Sequence, residues 1–391
     1  MASAEISRVY LDYNATARLR PEARAATLEA LDVLGNPSSI HAEGRRARTI
    51  VEEARRAVAA LAGAAPREVV FVSGGTEAAN LALTPATPAP GRKIPLTRLI
   101  MSAGEHPCVL RGHRFAPEAT AIAPLNTDGR LDLDALADLL SRGEGAPMLA
   151  LQGANNETGV LQPVAEAAAL VHAADGIVVC DGVQLPGRVG LAAATSGADF
   201  LFLSAHKFGG PKGAGALIAM RPDLSIEAPL LRGGGQERGA RAGTENVAAI
   251  AGFGAVARLA AAEVERDAPR LAALRDRLAQ RLREAAPEIV VFGEAAPRLP
   301  NTLAFAAPGA AAATLLIALD LAGFAASSGS ACSSGKVTPS HVLAAMGVEP
   351  GLAAGALRVS FGWASREDDV DRFVVAFGEA LAGLQRRRGV A

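Results

Sequence analysis

Apolar and polar positions along this chain keep two rhythms. Short, mostly apolar runs ending in small or polar residues recur at Val69–Val72, Arg98–Ser102, Met148–Gln152, Ile177–Cys180 and Ala198–Leu203. Runs of that length bounded by turn residues predict buried strands. Between them, apolar residues fall at helical spacing. Pro21–Leu34 predicts a helix, with Pro21 suited to its first position. A longer one is predicted from about His41 to Leu61, with Ile50, Val51, Ala54, Val58 and Leu61 on one side. Residues 84–97, rich in Pro and Thr, are expected to form an exposed loop. Gly215–Met220 reads as a strand returning antiparallel. Strands alternating with helices, with polar clusters at successive strand ends, predict an α/β domain whose site lies along one edge of the sheet. Further on, a helix from Val247 runs into an Arg/Glu-laced stretch through Arg283, read as the hinge to a smaller α+β body. That body is expected to carry short strands near 289–292, 301–306 and 357–361 and helices near 312–321, 338–346 and 366–385. No internal repeat or low-complexity tail interrupts the pattern.

Composition narrows the class. At 391 residues the chain can bury a sizeable core in two domains. Half the residues are hydrophobic, 20% are charged and the net charge is -1, which argues against disorder and against a nucleic-acid partner. No uninterrupted apolar run reaches the roughly 18–20 residues of a membrane span, and the N-terminus lacks the basic-then-apolar order of a secretion signal. Three widely spaced cysteines, Cys108, Cys180 and Cys332, suit neither a disulfide framework nor a zinc cluster. A cytoplasmic protein with free thiols is expected. There are only four lysines, Lys93, Lys207, Lys212 and Lys336, among 39 basic residues.

Several strand ends carry candidate chemistry. Ser73-Gly74-Gly75-Thr76 between a strand and a helix leaves backbone N–H groups free for an anion, although such turns also serve only as caps. His106 follows a strand, where it could cover a flat ligand or stay solvated. Asn155-Asn156-Glu157 is either a polar site cluster or a capped turn. Asp181 ends a buried strand, with Gln184 three residues on, and a carboxylate there calls for a cationic partner. Ser204-Ala205-His206-Lys207 delivers an amine to a strand end; a desolvated lysine can form a Schiff base where arginine cannot, and a surface lysine in a Gly-rich turn fits the same stretch. The Gly- and Arg-rich loop 231–246 suits an anion or a plain connector. Cys332, among small polar residues, predicts an exposed flexible loop, whereas Cys108 and Cys180 read as structural.

The stretches YLDYNAT, GNPSSIH, VVFVSGGTEAAN, EHPCVL, NNETGVLQPV, CDGVQLPGRVG, SAHKFGGPKGAGAL, GGGQERGARAGTEN, SSGSACSSGKVTPSHVL and LRVSFG together span nearly the whole chain. In this order they resemble the cysteine desulfurases of NifS/IscS type, within the class V aminotransferase group of fold-type I PLP enzymes. The resemblance implies a large, mostly parallel seven-stranded-sheet domain over 18–260. A smaller α+β domain, from 1–17 and 261–391, would carry the cysteine loop at about 327–341. It implies pyridoxal 5'-phosphate bound through Lys207, which would also move protons on the substrate. Asp181 would pair with the ring nitrogen, Gln184 with the phenolic oxygen, and His106 would stack on the ring. Gly75, Thr76, Ser204 and His206 would hold the phosphate, with Thr244 arriving from the other subunit of a homodimer. Asn156 and Arg358 would take the substrate carboxylate, helped by Asn36.

By the same resemblance, Cys332 is the nucleophile: L-cysteine becomes alanine, and a persulfide on Cys332 passes to an acceptor protein, an iron–sulfur scaffold or a thiolation enzyme. No metal is implied in the PLP site, although Cys332 is a candidate ligand for a transferred iron–sulfur cluster. The spacing from Ser327 to His341 resembles the NifS/IscS branch rather than the shorter-looped SufS branch. Departures are GVQ after Asp181, Gln236 where a His is common, and Lys336 where a neutral residue is common. The chain also stops soon after its last helix, so the scaffold-binding C-terminal extension of IscS-like members is not implied. The competing expectations are selenocysteine lyase, a transaminase (disfavoured, because that chemistry needs no thiol) and a non-catalytic sulfur-relay protein.

Overall fold

The computed structural model describes residues 8–87, 96–328 and 339–389, with side chains to Arg386. Strand β1 (Val9–Tyr10) leads through a polar turn to helix α1 (Pro21–Leu31), which stops three residues before the expected end. Helix α2 (Ala42–Ala62) starts where the His41 ring accepts the Gly44 N–H and ends at Gly63, whose φ of 73° is left-handed. Ala47, Val51, Ala54 and Val58 are its buried stripe. Then come β2 (Val69–Val72), α3 (Gly75–Ala82), β3 (Arg98–Ser102), β4 (Thr120–Ala123), α4 (Leu133–Arg142), β5 (Pro147–Gln152), α5 (Val164–Ala173), β6 (Ile177–Asp181), β7 (Phe200–Ser204) and β8 (Gly215–Ala219). Helix α3 begins three residues earlier than Ala78, so Gly75 and Thr76 belong to its first turn. The described part of 84–97 is only partly an exposed loop: Thr84, Thr87 and Leu96 are buried while Ala86 and Thr97 are exposed, and 88–95 lie outside the described residues.

The seven strands β2 to β8 form one sheet in the order β2-β8-β7-β6-β5-β3-β4. All run parallel except β8, which is antiparallel to both β2 and β7. Side-chain alternation splits the sheet's residues cleanly. Phe71, Leu149, Leu151, Val178, Leu201 and Leu203 join α2 on one face, while Val70, Val72, Met148, Val179, Phe200 and Phe202 join α3 on the other. Burial on both faces explains why these strands are nearly continuous apolar runs. The register sets Gln152 beside Asp181 and Asp181 beside Phe202, so the carboxyl ends of β5, β6 and β7 are level.

Helix α6 (Val247–Ala285) runs unbroken for 39 residues with Pro269 inside it, where a hinge was expected. The Arg/Glu lacing is its solvent side; Leu271, Leu274, Leu278 and Leu282 are buried on the other side, at the spacing of a helix stripe. Its first half is long and apolar enough to cross a membrane by length and composition, but 56% of that window is buried within the protein. Gly254 makes this packing possible: a Cβ there would sit 2.6 Å from the Ala54 Cα of α2. Beyond α6 lie β9 (Val290–Val291), β10 (Thr302–Ala306), α7 (Ala312–Leu321), β11 (Phe324–Ala325), β12 (Ser327–Ser328), α8 (His341–Ala345), β13 (Ala356–Ser360) and α9 (Glu367–Gly389). A second, antiparallel sheet has the order β12-β13-β10-β9, and β1 pairs in parallel with β11. Its own buried cluster joins Leu271, Leu278, Phe305, Phe361, Phe373 and Phe377. The molecule is thus a mixed α/β protein with one large, mostly parallel seven-stranded sheet and a smaller antiparallel one, as the resemblance implies.

Candidate active site

A cavity of about 190 Å³ opens at the carboxyl ends of β5, β6 and β7, the place where open α/β sheets offer loops and helix N-termini to a ligand. Gly75, Thr76, His106, Asn156, Asp181, Gln184, Ser204, His206, Lys207 and Arg358 all line it. The structure therefore gathers ten of the predicted positions from segments as far apart as 75 and 358. Thr244 and Asn36 are not among the lining residues; both are exposed, and the Asn36 Oδ1 accepts the Ser38 N–H. Cys332 and Lys336 lie outside the described residues.

Each wall follows from local sequence. At one end, Gly74 is extended at φ 163°, and no side chain caps α3, so its first-turn N–H groups, with Thr76 and Ser204 beside them in the cavity wall, are available to an anion. A Cβ on Gly75 would come within 3.2 Å of Val183 Cγ2, a tight contact, so a side chain there would have to displace Val183. The donor set and positive helix end suit a phosphate. At the other end Asp181, buried but for the face it turns to the cavity, accepts the Val183 N–H at 2.9 Å through Oδ1. Burial pushes its carboxyl up to about 6, against the opposing pull of that hydrogen bond and of Lys207. A protonated ring nitrogen placed there would restore the carboxylate. Phosphate cradle, buried carboxyl and lysine together suit PLP.

His106 is held at about 4 by burial, with Lys207 and His341 adding to the effect, so its ring is neutral near pH 7. Its Nδ1 accepts the Cys108 N–H at 3.2 Å, which leaves the proton on Nε2. His206 is likewise pushed down to about 4 by burial and by Lys207 and Lys212. The Lys207 Nζ donates to the Asn14 carbonyl at 3.0 Å. Arg358 donates from Nη1 to the Asn156 carbonyl at 2.8 Å and from Nη2 to Asp12 at 2.6 Å. Its buried Nε has no partner among the described residues, so a donor remains for a carboxylate even with both arms engaged.

Sequence reasoning missed several groups. Asn14 is the floor: its carbonyl takes both Lys207 Nζ and Gln184 Nε2, and its side chain binds the Asn156 carbonyl, Thr302 and Asn301. Gln152 and Cys108 also line the cavity. Behind them Glu105 is fully buried, and burial together with Asp181 raises its carboxyl well above the usual range. Of these, Asn14 stood inside the motif YLDYNAT and Glu105 and Cys108 inside EHPCVL, and those motifs were the available signal. Asn155 shapes the loop rather than facing the cavity: its Oδ1 accepts the Glu157 and Thr158 N–H groups. Among the described residues no group of three or more His, Cys, Asp or Glu side chains could hold a metal ion.

Comparison with known proteins agrees with this geometry. The model of the class-V aminotransferase family matches residues 9–373. A cysteine desulfurase of Cereibacter sphaeroides is 43% identical over 376 residues, covering 94% of each chain. The NifS-like protein of Rickettsia africae superimposes with a TM-score of 0.86 at 32% identity, over 96% of this chain and 99% of that one. The structure of SspA in complex with cysteine superimposes with a TM-score of 0.74 at 26% identity, over 90% of this chain and 98% of that one.

Proposed function

The chain belongs to the class-V aminotransferase family and, within it, to the cysteine desulfurases, and from that premise we propose how its residues turn L-cysteine into alanine and a transferable sulfur. The observation that carries the reading is the meeting of Lys207, Asp181, His106 and Arg358 in one cavity beside an uncapped helix N-terminus. PLP bound through Lys207 supplies an electron sink for the substrate's α-carbon. Asp181 holds a proton on the ring nitrogen, and Gln184 donates to the phenolic oxygen. Gly75, Thr76, Ser204 and His206 hold the phosphate. Arg358 Nε and the Asn156 amide orient the substrate carboxylate. Lys207 Nζ removes and returns the α-proton, and neutral His106, with its proton on Nε2, covers the ring and assists proton transfer.

The Cys332 thiolate then attacks the substrate sulfur. A sulfur–sulfur bond forms, the carbon–sulfur bond breaks with its electron pair going to carbon, and protonation of that carbon yields alanine. The persulfide passes to an acceptor protein that builds iron–sulfur clusters or thiolated cofactors. The proposal also takes the protein as cytoplasmic and divides the chain into a cofactor-holding domain, 18–260, and a smaller one from 1–17 and 261–391. Separate buried clusters support that division. A homodimer is proposed as well, with Thr244 completing the partner's phosphate site and Asn36 helping with the substrate carboxylate. Their exposure supports it, as do the exposed Leu31, Leu34 and Ile40.

The test is alanine and sulfide release from L-cysteine with reductant, comparing wild type with Cys332→Ala, both loaded with PLP. Alanine and sulfide from wild type alone is the expected result. Equal turnover by Cys332→Ala would remove the cysteine nucleophile and move selenocysteine-lyase chemistry ahead.

A further inference from the structure

Arg188 is a buried cation with an unusual set of partners. Only 5% of it is exposed, and among the described residues no carboxylate lies within ion-pair distance of it. Its four hydrogen-bond acceptors are all oxygens of neutral groups. Nη1 donates to the Gln184 carbonyl at 2.9 Å and to the Gln184 side-chain Oε1. Nη2 donates to the Tyr13 carbonyl at 3.4 Å and the Lys207 carbonyl at 3.2 Å. Burying a cation this way is costly. Burial and the nearby Arg358 lower its pKa to about 9, so the charge is kept at neutral pH.

The chemistry of the pair decides which way the Gln184 amide faces. A guanidinium has donors only, so the amide atom turned to it must be Oε1. The Gln184 nitrogen is then fixed on the cavity side, with one N–H given to the Asn14 carbonyl at 3.1 Å and the second left for a ligand. The other arm of Arg188 holds the main chain of Lys207 and of the turn that supplies Asn14. One side chain thereby ties together three segments of the site.

We infer that Arg188 is a positioning residue of this site: it fixes Gln184 as a hydrogen-bond donor toward the cavity and clamps the main chain that carries Lys207. The inference rests on the PLP reading, since the ligand atom facing Gln184 is there the phenolic oxygen. A donor to that oxygen stabilises its ionised form. Without it, the proton at the lysine–cofactor linkage is held more tightly.

The experiment is a pH titration of the visible absorption band of the PLP-loaded protein in wild type, Arg188→Met, Gln184→Leu and the double variant. The other groups around Lys207, namely Asp181, His106, Cys108, His206 with its neighbour Lys212, and Arg358, are the same throughout the cycle. Arg188→Met is expected to raise the titration midpoint by about one pH unit in the wild-type background and by less than about a third of that in Gln184→Leu. No shift, or equal shifts in both backgrounds, overturns the inference. Should Arg188→Met lose its cooperative melting transition, Arg188→Lys enters the same cycle under the same criteria, because an ammonium cannot span four carbonyl oxygens. Wild type without a visible band would overturn the PLP reading itself and the inference with it, an outcome separate from a wild-type band that Arg188 does not influence.

Discussion

Asp181 is a liability until something cationic sits against it. Its carboxyl is raised to about 6 from 3.8 by burial, so an unfolded chain releases that proton at lower pH than the folded one. Stability of the cofactor-free protein therefore falls as pH rises from about 4 to about 6, by something on the order of 3 kcal/mol. Asp181→Asn should accordingly melt several degrees higher than wild type in the cofactor-free form at pH 7, with the advantage gone below about pH 4. The same substitution should cut cysteine turnover by about 10²-fold or more. An equal or lower melting temperature at pH 7 would contradict the buried cost. The thiols make a second residue-level prediction. Burial, with Asp181 and Glu105 nearby, raises Cys108 and Cys180 far above the ordinary thiol range, so neither forms thiolate at neutral pH. Alkylation by iodoacetamide at about pH 8, read by peptide mass spectrometry, should spare both and label Cys332.

Among the elements, the loop 231–246 depends on one buried pair. Glu237 accepts both Arg55 Nη groups at 2.7 and 2.8 Å and the Phe71 N–H at 2.9 Å, and it does so from a left-handed backbone, φ 47°, with Arg238 at 57°. Removing the carboxylate leaves the buried Arg55 cation with only the half-exposed Glu52, at 3.1 Å from Nε, and the Val69 carbonyl as hydrogen-bond partners. Glu237→Ala should cost about 3–5 kcal/mol in urea unfolding. This dependence was invisible in the sequence, where the loop read as anion-binding or as a connector, because Arg55 and Glu237 meet only after folding. The strand ends were legible for the opposite reason. Asp181, Ser204 and Lys207 close or directly follow apolar runs, and parallel strands in register bring such ends level without further information. Arg188, Glu105 and Asn14 gain their meaning from contacts across the fold, and local spacing carries no trace of those. The Arg/Glu-laced half of α6 misled because a solvated helix face and a charged linker have the same composition; only the leucines at 271, 274, 278 and 282 distinguish them.

For the molecule as a whole, the proposed dimer makes a prediction that joins assembly to chemistry. Leu34 and Ile40 are 81% and 88% exposed, which is costly for large apolar side chains unless another surface covers them. Leu34→Glu with Ile40→Glu should shift the protein to monomer in analytical ultracentrifugation and loosen PLP, since Thr244 would no longer reach a neighbour's phosphate. A variant that stays dimeric would move the interface elsewhere. The turn around Asn14 has a consequence in time. It is made nearly 290 residues before its partners Asn301 and Thr302, and nearly 350 before Ser360 and the Arg358 that grips Asp12. The large sheet can pair as soon as β8 emerges, while the floor under Lys207 waits for β10 and β13. During synthesis the protein thus passes through a stage with a formed sheet and an unfinished binding site, and the site is finished only once β10 and β13 are made.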